Sequence, residues 1–384
     1  MNHHQMPFCK KLAGRQDIDF YFIATTPVPK DRLNLGYADM NKTESFILRA
    51  YESNDAMSKA QQLVDTCDAL IISAAMDKWI ERRIQNNKLT FQYEERIYKD
   101  GYYHLLSPRH ILGRIRNHTI YQGKQMYMLC ASAFCAWDLA ICGSYIGKTF
   151  KWGYFPETRT YDSIVKLVDS KQNDTIFWAA RFIDWKHPEL PIEVARILRE
   201  RGHTFHMTLA GNGPLWEQAK NLVCKYHLED CVSLPGAMSP EKIREEMEQS
   251  SIFMLTSDRN EGWGAVLNES MNSGCAVVAD ALIGAVPYLV QNGRNGIIYK
   301  DCDIKDAVDQ VEFLLNHPDE RKRIGINAYE TIRTSWNAEI ASDRFVALAQ
   351  TLLNAGHANN LFKDGVCSKA EILTDWWFKN EKHH

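Results

Sequence analysis

From Asp174 onward the sequence alternates between two kinds of segment. Six short apolar runs, D-T-I-F-W-A-A, T-F-H-M-T-L-A-G, C-V-S-L-P-G, S-I-F-M-L-T-S, C-A-V-V-A-D and N-G-I-I-Y-K, are separated by helical stretches such as P-E-L-P-I-E-V-A-R-I-L-R-E-R and P-E-K-I-R-E-E-M-E-Q-S. No other feature restricts the fold as strongly. Strands that alternate with helices form right-handed βαβ units, and these give a parallel sheet covered on both faces. This half reads as a doubly wound α/β domain.

The first half repeats the pattern less regularly. I-D-F-Y-F-I-A-T, S-F-I-L-R-A-Y, C-D-A-L-I-I-S, L-T-F-Q-Y and M-Y-M-L-C-A read as strands, with helices near 56–66, 77–88, 108–122 and 133–142. A length of 384 residues suits two domains. The expected division is an N-terminal domain over 1–155, a linker over 156–173, a C-terminal domain over 174–336, and two C-terminal helical stretches over 337–384 that cross back to the first domain. The opening N-H-H-Q runs straight into a helix. Either the first strand of the N-terminal domain is missing from this reading frame, with a start site assigned too far downstream as the expected cause, or the sheet is built without it.

Composition excludes several classes. With 45% apolar and 24% charged residues the chain is globular, and a net charge of −3 argues against nucleic acid as a partner. Ten cysteines form no C-x-x-C pair, as expected of reduced thiols in a cytoplasmic protein. M-N-H-H-Q-M-P-F-C-K-K-L lacks the apolar core of a signal peptide. Met126–Gly147 carries a single charge, Asp138, which would cost about 2.5–3.5 kcal/mol in hydrocarbon. It divides instead into a strand, a small-residue turn and a buried helix.

Chemistry concentrates where strands end. In open α/β sheets ligands bind beyond the carboxyl ends of the strands, where helix N-termini present unpaired N–H groups to anions. After S-I-F-M-L-T-S comes N-E-G-W-G-A-V-L-N-E-S-M-N-S-G. Gly262 and Gly264 let the backbone approach a phosphate, with the amides of Ala265 and Val266 behind them. Glu261 and Glu269 would repel that phosphate if they touched it, but suit the hydroxyls of a sugar on either side of a diphosphate. R-F-I-D-W-K follows another strand and supplies Arg181 and Lys186 as counter-charges. L-A-G-N-G-P, with Gly211 and Gly213, ends a third strand. L-P-G-A-M-S-P ends a fourth and offers main chain at Gly236 and Ala237 to a base. The constellation points to a nucleotide-sugar site.

These motifs resemble those of family four of the retaining glycosyltransferases. E-G-W-G-A-V-L-N-E is similar to its Glu-x7-Glu motif, R-F-I-D-W-K to its Arg/Lys pair and L-A-G-N-G-P to its G-x-G-P turn. The likeness is good over about 175–334. It is looser in the first half, where N-H-H-Q-M-P-F, L-T-F-Q-Y-E-E-R and K-W-G-Y-F-P-E look like members that build bacterial surface polysaccharides. The resemblance implies a GT-B fold, two Rossmann-like domains with a cleft between them. It further implies that Glu269 binds ribose, Glu261 the transferred hexose, and Arg181 and Lys186 the leaving diphosphate. The donor would be a UDP-linked nucleotide-diphosphate sugar, and the acceptor a saccharide or lipid-linked acceptor.

Retaining transfer in this fold needs no protein nucleophile, so positioning and electrostatics carry the rate. No cofactor and no metal are expected. Asp17-Ile-Asp19 precedes a strand, and Asp301-Cys-Asp303 reads as a helix cap. Acceptor-side candidates are His3, His4, Glu95 and Asp138. Residues 78–124 hold ten Lys/Arg against four Asp/Glu and carry +6, leaving −9 elsewhere. With interleaved aromatics, that segment is expected to meet an anionic membrane surface through Arg82, Arg83, Arg114 and Arg116, placing the protein peripherally on the inner face of the plasma membrane. Two alternatives stay open: a nucleotide-sugar epimerase of the same fold, and a non-catalytic sugar-nucleotide-binding subunit. A nicotinamide oxidoreductase is excluded by the lack of a G-x-G-x-x-G in a first βα turn.

Overall fold

The structure is a computed structural model that describes residues 4–28, 39–73, 77–358 and 361–378. Its C-terminal sheet contains β7 (Gln172–Ala179), β8 (His206–Ala210), β9 (Val232–Gly236), β10 (Ser250–Leu255), β11 (Ala276–Asp280) and β12 (Ile297–Tyr299). All neighbours are parallel, in the order β12-β11-β10-β7-β8-β9. The chain runs outward from β7 to β9, then returns beside β7 at β10 and runs out the other way. Strand order therefore reverses between β7 and β10, which makes the space beyond their carboxyl ends the topological switch point. Every residue of β10 and β11 is buried, as uninterrupted apolar runs require in a sheet covered on both faces. Successive residues serve opposite layers: Ile176 and Trp178 pack in one apolar cluster, Phe177 in another.

The N-terminal domain differs from expectation in one respect. Strands β3 (Leu70–Ser73), β4 (Thr90–Glu94), β5 (Met126–Cys130) and β6 (Thr149–Lys151) form a parallel sheet in chain order. The strands β1 (Phe22–Ala24) and β2 (Ile47–Arg49) pair with each other in a separate two-stranded sheet. No described residue before Phe22 belongs to a strand, and the first described element is helix Met6–Ala13.

Two further differences concern the connections. Within the 156–173 segment read as a linker, Ile164–Ser170 forms a helix capped by Ser163, and β7 has begun by Gln172. Its approach is also buried: Trp152, Phe155 and Gly153 lie in the core, and a Cβ on Gly153 would sit 2.3 Å from the Trp263 indole. Of the two helical stretches read beyond 337, one forms, Ala338–Ala355, capped by Asn337. It packs on the opening helix, with Phe8 against Phe345 and Lys11 paired to Glu339. The described residues beyond it are irregular, and Cys367 to Ala370 hydrogen-bond along the β6 edge at 2.8–3.0 Å. One apolar cluster joins Phe91 and Leu129 of the first sheet, Phe345 and Leu352 of that helix, and Phe253 and Trp263 of the second domain.

Residues 126–147 fold as β5 and helix Cys135–Ala140, both buried. No helix among the described residues is long and apolar enough to cross a membrane.

Candidate active site

Two loops meet at the switch point, one after β7 and one after β10. They are laced together: Thr256 donates to the Lys186 carbonyl (2.7 Å), and the Asp258 amide donates to the Trp185 carbonyl (3.0 Å). The Trp185 ring lies 5.9 Å from the Arg181 guanidinium and 4.3 Å from the Lys186 ammonium, so one indole positions both cations. Lys186 is buried, and a desolvated ammonium needs a partner. It pairs with Glu261, whose Oε2 also accepts from Ser257 at 2.9 Å. Arg181 is exposed and has no carboxylate partner among the described residues.

Helix Ala265–Asn272 begins directly behind this pair. Its N-cap, Gly264, has φ +89°, a conformation that side chains make costly. The first-turn amides of Ala265 and Val266 are of the kind a helix leaves without internal partners. One turn on, burial pushes the Glu269 carboxyl up, while Arg244 and Arg159 pull it back down. No described residue hydrogen-bonds its carboxylate, so this largely buried acceptor is available to a ligand hydroxyl.

The glycines of L-A-G-N-G-P let one loop close on another. A Cβ on Gly211 would fall 1.8 Å from the Ala180 carbonyl oxygen, and one on Gly213 2.4 Å from that of Phe182. The Phe182 amide donates to the Asn212 carbonyl and the Leu215 amide to the Phe182 carbonyl, each at 3.0 Å, which seats this loop against the one that carries Arg181. Gly236, at φ +83°, faces open space and is followed by the exposed Ala237.

The N-terminal domain contributes from the opposite side. A Cβ on Gly262 would meet Glu95 Oε2 at 1.9 Å, so the Glu95 carboxylate rests on Gly262. Glu95 accepts from the Tyr154 hydroxyl and, at 2.6 Å, from Lys99. The His4 ring stacks on Tyr154 at 5.6 Å. His3 lies outside the described residues. Across the interface, the Ala133 amide donates to the Gly284 carbonyl at 2.9 Å. Asp138 is not part of this group. It is buried and accepts from the Ile97 and Tyr98 amides (2.8 and 3.1 Å) and the Tyr102 hydroxyl (3.2 Å), anchoring the loop after β4.

Residues 162–331 match the family Glycosyl transferases group 1. The matched segment contains Arg181, Lys186, Glu261, Glu269, Gly211, Gly213, Gly236, Gly262 and Gly264. The chain is 26% identical over 179 residues to the putative colanic acid biosynthesis glycosyltransferase WcaL of Salmonella typhimurium, covering 45% of this chain and 44% of that one. It is 29% identical over 173 residues to the alpha-D-kanosaminyltransferase of Streptomyces kanamyceticus, covering 45% and 44%. Each match thus spans less than half of the relative's length. The whole fold is similar to that of Anabaena HepE in complex with UDP and glucose, with TM-score 0.61 and 15% identity over 91% of this chain and 96% of that one. The architecture is GT-B.

Around this site lie residues that sequence reasoning missed. His187, next to Lys186, is pushed up to about 12 by its bond to Asp258, helped by Cys302 and Glu189. It thereby balances an acidic group at the ends of β11 and β12. There Asp280, Asp301 and Cys302 hold their ligand atoms within 4.8 Å of one another, and burial pushes Asp280 up to about 7. Asp280 already accepts the Leu282 and Cys302 amides (2.8 and 2.7 Å). Asp303 caps helix Ile304–Asn316 by accepting from the Asp306 amide (3.0 Å). Trp185 and Tyr154 were inside quoted motifs, but only folding reveals their contacts. Glu94, beside Glu95, is pushed up to about 7 by burial against the pull of Arg114.

Proposed function

We propose that the protein is a retaining glycosyltransferase. It moves a hexose from a nucleotide-diphosphate sugar, UDP-linked, to a saccharide or lipid-linked acceptor in surface polysaccharide or glycolipid synthesis. The observation that carries this reading is the placing of Arg181, Lys186 and the Gly264 helix end around the switch point, with an unpartnered Glu269 carboxylate one turn beyond. The similarity to a protein solved with UDP and glucose supports the donor class, and the similarity to WcaL supports polysaccharide assembly.

In this reading the diphosphate lies over Gly262 and Gly264, against the amides of Ala265 and Val266. Its charge draws Lys186 away from Glu261 and is gripped by Arg181. Glu261, released from the ammonium, accepts hydroxyls of the hexose. Glu269 accepts the ribose hydroxyls, and the base rests on main chain at Gly236 and Ala237. The bond from the anomeric carbon to the diphosphate breaks as an acceptor oxygen attacks from the same face, and the acceptor's proton passes to a phosphate oxygen. The cations and the helix end stabilise the departing charge, so no divalent metal is required. Glu95, held by Lys99 and Tyr154, is the acceptor-side carboxylate best placed to orient the incoming hydroxyl.

Incubation with UDP-sugars, with and without oligosaccharide or lipid-linked acceptors, tests the proposal. Transfer with the anomeric configuration kept is the expected result. Epimer formed from donor alone would favour the epimerase, and UDP binding with no product from any acceptor would favour the non-catalytic subunit.

A further inference from the structure

Segment 78–124 does not present one basic face. Arg83 is fully buried and spends its guanidinium on the carbonyls of Val64, Cys67 and Leu89 (2.6–2.7 Å). Arg82 pairs with Asp65, Lys99 with Glu95, and Arg114 lies 3.4 Å from His118. The membrane contact expected of Arg83 is thereby corrected. Arg96 is different again, because its surroundings leave it short of partners. Its side chain is wholly buried, with the Phe134 ring at 4.7 Å and the Tyr102 ring at 5.9 Å. Nη2 donates to the Tyr102 hydroxyl at 3.1 Å and Nε faces Asp138 at 4.0 Å, but neither Nε nor Nη1 has a hydrogen-bond partner among the described residues. A buried guanidinium in this condition needs an anion close by.

The anion comes from the C-terminal tail. One carboxylate oxygen of Asp375 pairs with Arg96, and the other pairs with Arg259 at 3.3 Å. Arg96 follows β4 and adjoins Glu95, whereas Arg259 follows β10, two residues before Glu261. Each domain thus supplies one guanidinium, beside the cleft. Arg259 is itself held by donating to the Tyr98 carbonyl (3.0 Å) and by the Tyr102 ring at 5.1 Å. Two guanidiniums, one to each oxygen, match a carboxylate. Against Arg96 and Arg259, Asp138 leaves room for one further negative charge. A second would be repelled: burial raises the nearby Asp301 carboxyl, and Asp258 and Asp375 raise it further.

The segment that fills this seat is lightly anchored. Residues 371–378 form no helix or strand, and beyond Asp375 the Trp377 indole N–H donates to the Ala281 carbonyl at 2.9 Å. Between them Trp376 is 71% exposed. The seat also has an aromatic neighbour. A Cβ on Gly101 would lie 3.6 Å from the Tyr103 ring and 3.8 Å from Arg259 Nη1, so Arg259 and the exposed Tyr103 flank one point. A ring beside a pair of cations suits a sugar that carries a carboxylate.

We propose that Arg96 and Arg259 form a carboxylate seat between the two domains, that Asp375 fills it in the free protein, and that a carboxylate-bearing saccharide acceptor takes it by displacing the tail. The acceptor role rests on the transferase reading, whereas the seat and the exchange do not. The probe is D-glucuronate, with D-glucose and inorganic phosphate as controls at constant ionic strength. In the wild type, glucuronate should speed hydrogen exchange in residues 371–378 and glucose should not. A tethered carboxylate competes at an effective concentration of about millimolar, so Asp375→Ala should bind glucuronate about tenfold or more tightly than wild type by calorimetry. Trp377→Phe loosens the tail and keeps both arginines, and should gain about threefold. Arg259→Gln in the Asp375→Ala background should lose about tenfold. The exchange measurement needs only the wild type and decides the matter if Asp375→Ala does not fold. UDP affinity is measured alongside: wild-type protein that binds no UDP would count against the transferase reading and leave the seat standing. Tail exchange that glucuronate does not move, Asp375→Ala that binds it no better than wild type, or phosphate that frees the tail more readily than glucuronate would overturn the proposal.

Discussion

Replacing Lys186 by methionine separates a structural role from a ligand-binding one. The side chains of Lys186 and Glu261 are 10% and 12% exposed, so each depends on the other for its charge. Lys186→Met keeps the stem and leaves the Glu261 carboxylate with only the Ser257 hydroxyl at 2.9 Å. Removing one partner of a buried pair costs about 3–5 kcal/mol. The Ser257 hydroxyl still bonds to the carboxylate, which sets the expectation at the lower end, ~3 kcal/mol. At about 2–4 °C per kcal/mol, Tm should fall by about 6–12 °C. Lys186→Met/Glu261→Gln removes both charges and should recover most of the loss. Affinity for UDP should behave differently: single and double variants both lack a charge-assisted contact of about 1.5–3 kcal/mol, so Kd should rise about 10- to 150-fold in each. Scanning fluorimetry of the apoprotein and calorimetric titration with UDP read the two quantities. A double variant that regains wild-type UDP affinity along with stability would refute the reasoning, because Lys186 would then serve only to neutralise Glu261.

Three further outcomes are expected. Glu269→Ala should weaken UDP binding by about tenfold or more while leaving Tm at pH 7 unchanged or higher, since it deletes a buried carboxylate with no hydrogen-bond partner; an unchanged Kd would remove Glu269 from the donor site. Transfer should persist in excess chelator, whereas a loss restored by Mg²⁺ or Mn²⁺ would direct attention to Asp280, Asp301 and Cys302. Glu94 titrates near 7 in the folded chain against an ordinary 4.5, so the folded state binds its proton more tightly and this carboxyl costs stability as pH rises through that window. Glu94→Gln should therefore flatten the fall in Tm between about pH 4.5 and 7, and curves parallel to wild type would contradict the assignment.

The C-terminal domain was legible because each of its strands is built on a short apolar run flanked by helical stretches, and because Arg181, Lys186, Glu261 and Glu269 all follow strand ends that the topology gathers. What escaped depends on distant partners. Arg83 and Arg96 look like surface charges until β3, β4 and the C-terminal tail close over them. Asp138 looks like a stray acid within an apolar run until the loop after β4 brings two amides to it. The aromatics of K-W-G-Y-F-P-E follow neither a strand nor a helix period and so predict no element. They are instead the seam between the domains, with Trp263 set against Gly153 and Tyr154 holding Glu95. The glycines of the third loop were recognised, but their main constraint is the approach of one loop to another.

The central claim is that a diphosphate is held between Arg181, Lys186 and the Gly264 helix end, and a crystal structure of the protein with UDP tests it most directly. The account predicts the diphosphate over Gly262 and Gly264, Lys186 turned from Glu261 onto a phosphate oxygen, and Glu269 on the ribose. A diphosphate bound elsewhere, with the Lys186–Glu261 pair intact, would contradict it.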